Sequence, residues 1–197
     1  MNRYITLQTP HGSLHGHLEL PDNPRGLVLI VRAHHASEDE AISGCFAEFG
    51  FATFTMELLT TQEVQFIDAT QNVPRLAQRL IDVLDMTRND GDMQLLPLAI
   101  FTSGDIAPAA IRAAAQRDLL VKAVVCHGGL IDRAGAQALD LLEAPLLMIF
   151  DTDDDLAKNG YQRASPHLRG AHSMHVLGLA EDPARPAAIW ILGLFSG

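Results

Sequence analysis

Two cysteines, Cys45 and Cys126, are all that 197 residues contain, too few for a disulfide framework and in keeping with a reducing compartment. There is no block of lysines and arginines. Against 24 acidic residues stand 14 basic ones, giving a net charge of −10. Counterion release, which drives nucleic-acid binding, has no footprint in such a chain, and anionic membrane surfaces are equally poor partners. No apolar run approaches the ~20 residues of a bilayer span; Leu27–Val31 and Pro145–Phe150 are among the longest. The opening MNRYITLQTPHG lacks the apolar core of a signal peptide, so a cytoplasmic location is expected. Linkers, internal repeats and low-complexity segments are absent too, and one domain over 1–197 is the expectation.

What is present is an alternation. Residues 3–20 form two stretches near period two around a Pro10-His11-Gly12 turn, the pattern of an antiparallel hairpin. Six short apolar segments follow: Leu27–Val31, Phe51–Met56, Leu95–Phe101, Leu120–Cys126, Pro145–Phe150 and Ser173–Leu177. They lack strict alternation, as strands buried on both faces do. Helical periods lie between them. Ser37-Glu-Asp-Glu40 reads as a capping box before Ala41–Phe49, with Gly50 as the stop. Asn72–Arg88 places Leu76, Leu80, Val83, Leu84 and Thr87 on one stripe. Ile106–Arg117 follows with Asp105 as candidate N-cap, and Gly135–Leu142 is shorter. Asp151–Asp155 reads as an acidic loop. The expected class is α/β, a three-layer α/β/α sandwich with a mostly parallel sheet and an N-terminal antiparallel hairpin.

Ligands of open parallel sheets bind beyond the carboxyl ends of the strands. Those ends offer Arg32, His34 and His35; Glu57; Ser103, Gly104 and Asp105; His127, Gly128 and Gly129; Asp151 to Asp155; and Gly178 to Asp182. A His/carboxylate metal site is chemically possible there, but no ligand-spacing motif supports one. No metal or cofactor is expected. Cys45 and Cys126 read as small core hydrophobes.

Over Gly26–Val31, Gly50–Thr60, Leu98–Arg117, Val124–Gly129 and Ala144–Phe150 the chain resembles the dienelactone-hydrolase-like branch of the α/β hydrolases. The resemblance implies an eight-strand sheet and a nucleophile in G-x-S-x-G on a tight strand-to-helix turn. Here that turn reads Ile100-Phe-Thr-Ser-Gly-Asp-Ile-Ala-Pro108. Gly104 stands at the nucleophile's place, Thr102 and Ile106 replace the flanking glycines, and Ser103 comes one residue early. Losing those glycines disfavours the usual elbow. The same resemblance puts Asp153 at the triad acid and Glu181 at the histidine, since no His occurs from Gly178 onward. It also puts Arg32-Ala33 where the family carries a His-Gly pair of the oxyanion side, and an acid near Glu57.

Two readings follow. The first is a degenerate hydrolase homologue whose cleft binds a small carbonyl or carboxylate compound. In the second, an active hydrolase of small esters or lactones uses Ser103, Asp153 and a relocated histidine, His127 or His35. Finally, Pro186–Phe195 has no charged residue on any face, which predicts a homodimer through this C-terminal helix.

Overall fold

The computed structural model describes residues 1–197. Strands β1 (Asn2–Thr9) and β2 (Gly12–Glu19) form the opening hairpin, paired antiparallel from Asn2↔Glu19 to Thr9↔Gly12. β3 (Leu27–Arg32), β4 (Ala52–Glu57), β5 (Leu98–Ser103), β6 (Val121–His127), β7 (Leu146–Phe150) and β8 (His172–Val176) complete an eight-stranded sheet. The order is β1-β2-β4-β3-β5-β6-β7-β8. Pairing is antiparallel between β2 and β4 and parallel from β4 through β8. The apolar segments of β3 to β7 are buried on both faces as expected, whereas β8, at the edge of the sheet, is largely exposed, with Met174 and Val176 among its exposed residues.

Helices α1 (Asp39–Glu48), α2 (Val73–Asn89), α3 (Ala107–Gln116), α4 (Ala136–Leu141), α5 (Asp155–Ala164) and α6 (Ala184–Phe195) connect or follow the strands. The sheet separates two hydrophobic clusters. Side chains of α2, α3, α4 and α5 fill one, and those of α1 and α6 fill the other. That is the three-layer arrangement. In α2, Asn72 caps the helix by accepting from the Arg75 amide at 3.2 Å, and the whole stripe Leu76, Leu80, Val83, Leu84, Thr87 is buried.

Three local expectations change. Ser37 does not open α1: the N-cap is Glu38, without a side-chain cap bond. Asp39 is instead drawn inward, where it accepts from the Ala36 amide at 2.9 Å and pairs with Arg32. Asp105 is not the N-cap of α3. It lies in a single 3₁₀ turn, Gly104–Ile106, and accepts from the Thr70 hydroxyl at 2.9 Å. The acidic loop is shorter than Asp151–Asp155, since Asp154 caps α5 through the Ala157 amide at 3.1 Å and Asp155 is already helical.

Candidate functional site

β5 ends in extended backbone at Ser103 (φ −143°, ψ 154°), and the chain then turns through Gly104 at φ +60° into the 3₁₀ turn and α3. An elbow therefore forms without the flanking glycines. Thr102 fits because it is fully buried with its hydroxyl donated to the Val31 carbonyl at 3.1 Å. Close approach is supplied from β6's end: a Cβ on Gly129 (φ +88°) would lie 2.3 Å from the Gly104 carbonyl oxygen and 2.7 Å from Ala107 Cβ. At Gly104 itself a Cβ would meet nothing within 4 Å. The apex of the elbow faces open space and bears no side chain.

That space is a cleft of about 820 Å³ across the ends of β3, β5, β6 and β7, lined among others by Arg32, Ser103, Gly104, His127, Gly128 and Asp154. Arg32 reaches the cleft from a buried charge pair whose other member, Asp39, lines a neighbouring groove. Arg32 Nε donates to Asp39 Oδ1 at 2.7 Å, its Nη1 donates to the Ser103 hydroxyl, and its guanidinium sits 5.8 Å from the Phe101 ring centroid. Arg32 Nη2 makes no hydrogen bond within the protein and is not sealed from solvent. Nη2 is thus the guanidinium nitrogen left to donate into the cleft.

One strand over, His127 Nε2 and Asp151 Oδ1 are 3.0 Å apart. Ser103 and His127 are register partners on β5 and β6, so their side chains leave the sheet on the same face. Yet Arg32, and not a histidine, is the side chain bonded to the Ser103 hydroxyl.

The remaining sequence candidates are dispersed. Asp153 is exposed and does not line the cleft, whereas Asp154 does. Glu181 is held in its own loop: it accepts from the Gly178 amide at 2.7 Å and pairs with His175 Nε2 at 3.0 Å. The Gly178 amide bond lowers its carboxyl below the usual range, burial opposes it, and the His175 bond and charge assist. This weakens Glu181 as a base. His35 and Glu57 line a separate groove of about 480 Å³ between α1 and the β2–β4 pair, and His34 is exposed outside the cleft. β4 lies outside the run β3-β5-β6-β7, which is why its terminal Glu57 misses the cleft. No group of three or more His, Cys, Asp or Glu is arranged to hold a metal ion. Both cysteines are free thiols, and burial pushes Cys126 up to about 12.

Sequence reasoning missed Asp39, and it placed Asp154 and Asp182 among the strand-end candidates without giving either a role. A signal existed for Asp154: an Asp followed by a helix-forming segment is an N-cap pattern. None existed for Asp39, whose role depends on a contact with the preceding strand.

A crystal structure of dienelactone hydrolase from Anabaena variabilis superposes with a TM-score of 0.85 over 100% of this chain and 97% of that one, at 24% identity. The fold is that of the α/β hydrolases. Est1E from Butyrivibrio proteoclasticus shares this α/β-hydrolase fold with a TM-score of 0.77 at 10% identity, covering 98% of this chain and 99% of that one. No family model matches the sequence. Two proteins of Mycobacterium tuberculosis, strains CDC 1551 / Oshkosh and H37Rv, are each 31% identical over 196 residues; their names assign them provisionally to the phosphoribosyl transferases. The alignment covers 92% of this chain but 44% of those proteins, so the α/β-hydrolase unit spans less than half the length of the curated relatives it matches.

Proposed function

We propose that this protein resembles dienelactone hydrolases in scaffold but uses the cleft to bind a small carboxylate or carbonyl compound without hydrolysing it. The observation that carries this reading is Gly104 at the elbow apex, φ +60° and open to the cleft, where a nucleophilic side chain would stand. Glu181, at the position the resemblance assigns to the histidine, is turned onto Gly178 and His175. Arg32 in turn offers Nη2 to a carboxylate within the same cleft. The name of the mycobacterial relatives does not transfer to this site. The alignment leaves more than half of those proteins outside this unit.

A second reading, hydrolysis of small esters or lactones, is favoured by one observation: His127 lies on the strand beside Ser103 and pairs with Asp151, just beyond the next strand. In that case Asp151 takes the part that sequence reasoning gave to Asp153, and the Ser103 hydroxyl must first leave Arg32.

The test of the binding reading is a calorimetric titration of hexanoate into the wild type and Arg32→Lys, with circular dichroism as the check on folding. Lysine keeps the charge that neutralises Asp39 but loses the fork, so affinity should fall about tenfold. No saturable binding, or equal binding by the two proteins, overturns the proposal.

Two further features support finer expectations. Ile189 and Leu194 remain 55% and 40% exposed on α6, which supports a homodimer through that helix. Two free, unpaired cysteines agree with a cytoplasmic setting. No helix is long and apolar enough to cross a membrane.

A further inference from the structure

The charges lining the cleft are one-sided. Arg32 is matched by Asp39 behind it at 2.7 Å, which leaves Glu38, Asp151, Asp154 and Asp182 as four carboxylates on the walls. Each of the four keeps at least one oxygen without a hydrogen bond, and Asp154 sets that oxygen against the cleft lining. Asp154 spends Oδ1 on the α5 cap, while Oδ2 makes no hydrogen bond and leans over Gly128, 2.9 Å from where a Cβ would be. Asp182 spends Oδ1 on the Ala184 amide at 2.8 Å and likewise keeps the other oxygen free. A simple carboxylate bound at Arg32 would sit among like charges, within the Debye length of ~8 Å that salt leaves unscreened. An ammonium group on the same ligand turns each repulsion into an attraction.

We infer that the ligand of this cleft is an amino carboxylate, with its carboxylate on Arg32 and its ammonium group at Asp154. This rests on the carboxylate-binding reading above and adds the second charge. Independent of the acidic wall, Arg32 is nine-tenths buried, lines the cleft and keeps Nη2 without a partner. The guanidinium reaches Ser103 at the end of β5, and Asp154 Oδ2 lies over Gly128, just beyond β6. Adjacent strands are ~4.8 Å apart, so one ligand can span both anchors, and Ala41, Ile42 and Pro183 supply an apolar wall for the carbons that join its charged ends.

The experiment compares 6-aminohexanoate, hexanoate and hexylamine, three probes with the same carbon chain, by calorimetry at low salt on the wild type and Asp154→Asn. Asparagine caps a helix about as well as aspartate, so the variant keeps α5 while losing the charge. The wild type should bind 6-aminohexanoate about tenfold more tightly than hexanoate, and Asp154→Asn should lose most of that preference without weakening hexanoate. Hexanoate binding as tightly as 6-aminohexanoate, or a preference unchanged in Asp154→Asn, overturns the ammonium subsite and leaves the carboxylate reading intact. Hexylamine binding as tightly as 6-aminohexanoate removes the anchor role of Arg32, and failure of all three probes to bind overturns the carboxylate reading itself.

Discussion

Gly104 and Gly129 share a left-handed backbone, at φ +60° and φ +88°, yet their surroundings make opposite demands. Replacing Gly104 with alanine adds a methyl group to empty space, with nothing within 4 Å. Its cost is the backbone penalty alone, about 1–2 kcal/mol. In Gly129→Ala the same penalty applies, and the methyl group also meets a backbone oxygen at 2.3 Å and Ala107 Cβ at 2.7 Å. Neither neighbour is the far end of a flexible side chain, so the elbow or the start of α3 must shift, adding about 1–3 kcal/mol of overpacking. Urea unfolding of the two variants measures the difference as a shift in midpoint at constant slope. Gly129→Ala should be the less stable by about 1–3 kcal/mol. Equal stability, or a more stable Gly129→Ala, would refute the packing of the Gly128-Gly129 turn onto the elbow and with it the apex geometry of Gly104.

Three other outcomes are expected. Asp39→Asn leaves the Arg32 guanidinium buried without its counter-charge and should destabilise the fold by about 3–5 kcal/mol; thermal melting within error of the wild type would contradict the pairing. Glu63 is pushed up by burial but held down further by hydrogen bonds from Arg79 and Thr60, to about 2. Because that folded value is depressed, its stabilisation is complete above the ordinary carboxylate range and is lost as pH falls toward about 2. The stability gap between wild type and Glu63→Gln should thus be about 2 kcal/mol smaller at pH 3 than at pH 7, and a gap independent of pH would refute the assignment. For α6, light scattering should give a dimer that Ile189→Glu dissociates; a wild-type monomer at micromolar concentration would contradict the dimer.

The layer order was legible in the sequence because it depends on local pattern. Apolar runs without alternation mark β3 to β7, and the stripe from Leu76 to Thr87 marks α2. α5 was not, because its buried face is built of Ala157, Gly160 and Ala164 while Leu156 is 74% exposed. Small residues buried at helical spacing leave no apolar period. The candidate site was legible as a set of strand ends but not as an assembly. Asp39 belongs to it through a contact with Arg32, and the elbow owes its close approach to Gly129 from the neighbouring strand rather than to Thr102 or Ile106. Glu181 shows the reverse: its place in the sequence matched the histidine position, and its partners Gly178 and His175 turn it elsewhere.

Labelling with a fluorophosphonate probe, read by intact-protein mass spectrometry on the wild type and Ser103→Ala, tests most directly whether the elbow has lost its chemistry. With glycine at the apex and Arg32 holding the Ser103 hydroxyl, the folded wild type should remain unmodified. A stoichiometric adduct that disappears in Ser103→Ala would contradict the binding account and establish Ser103 as a displaced nucleophile.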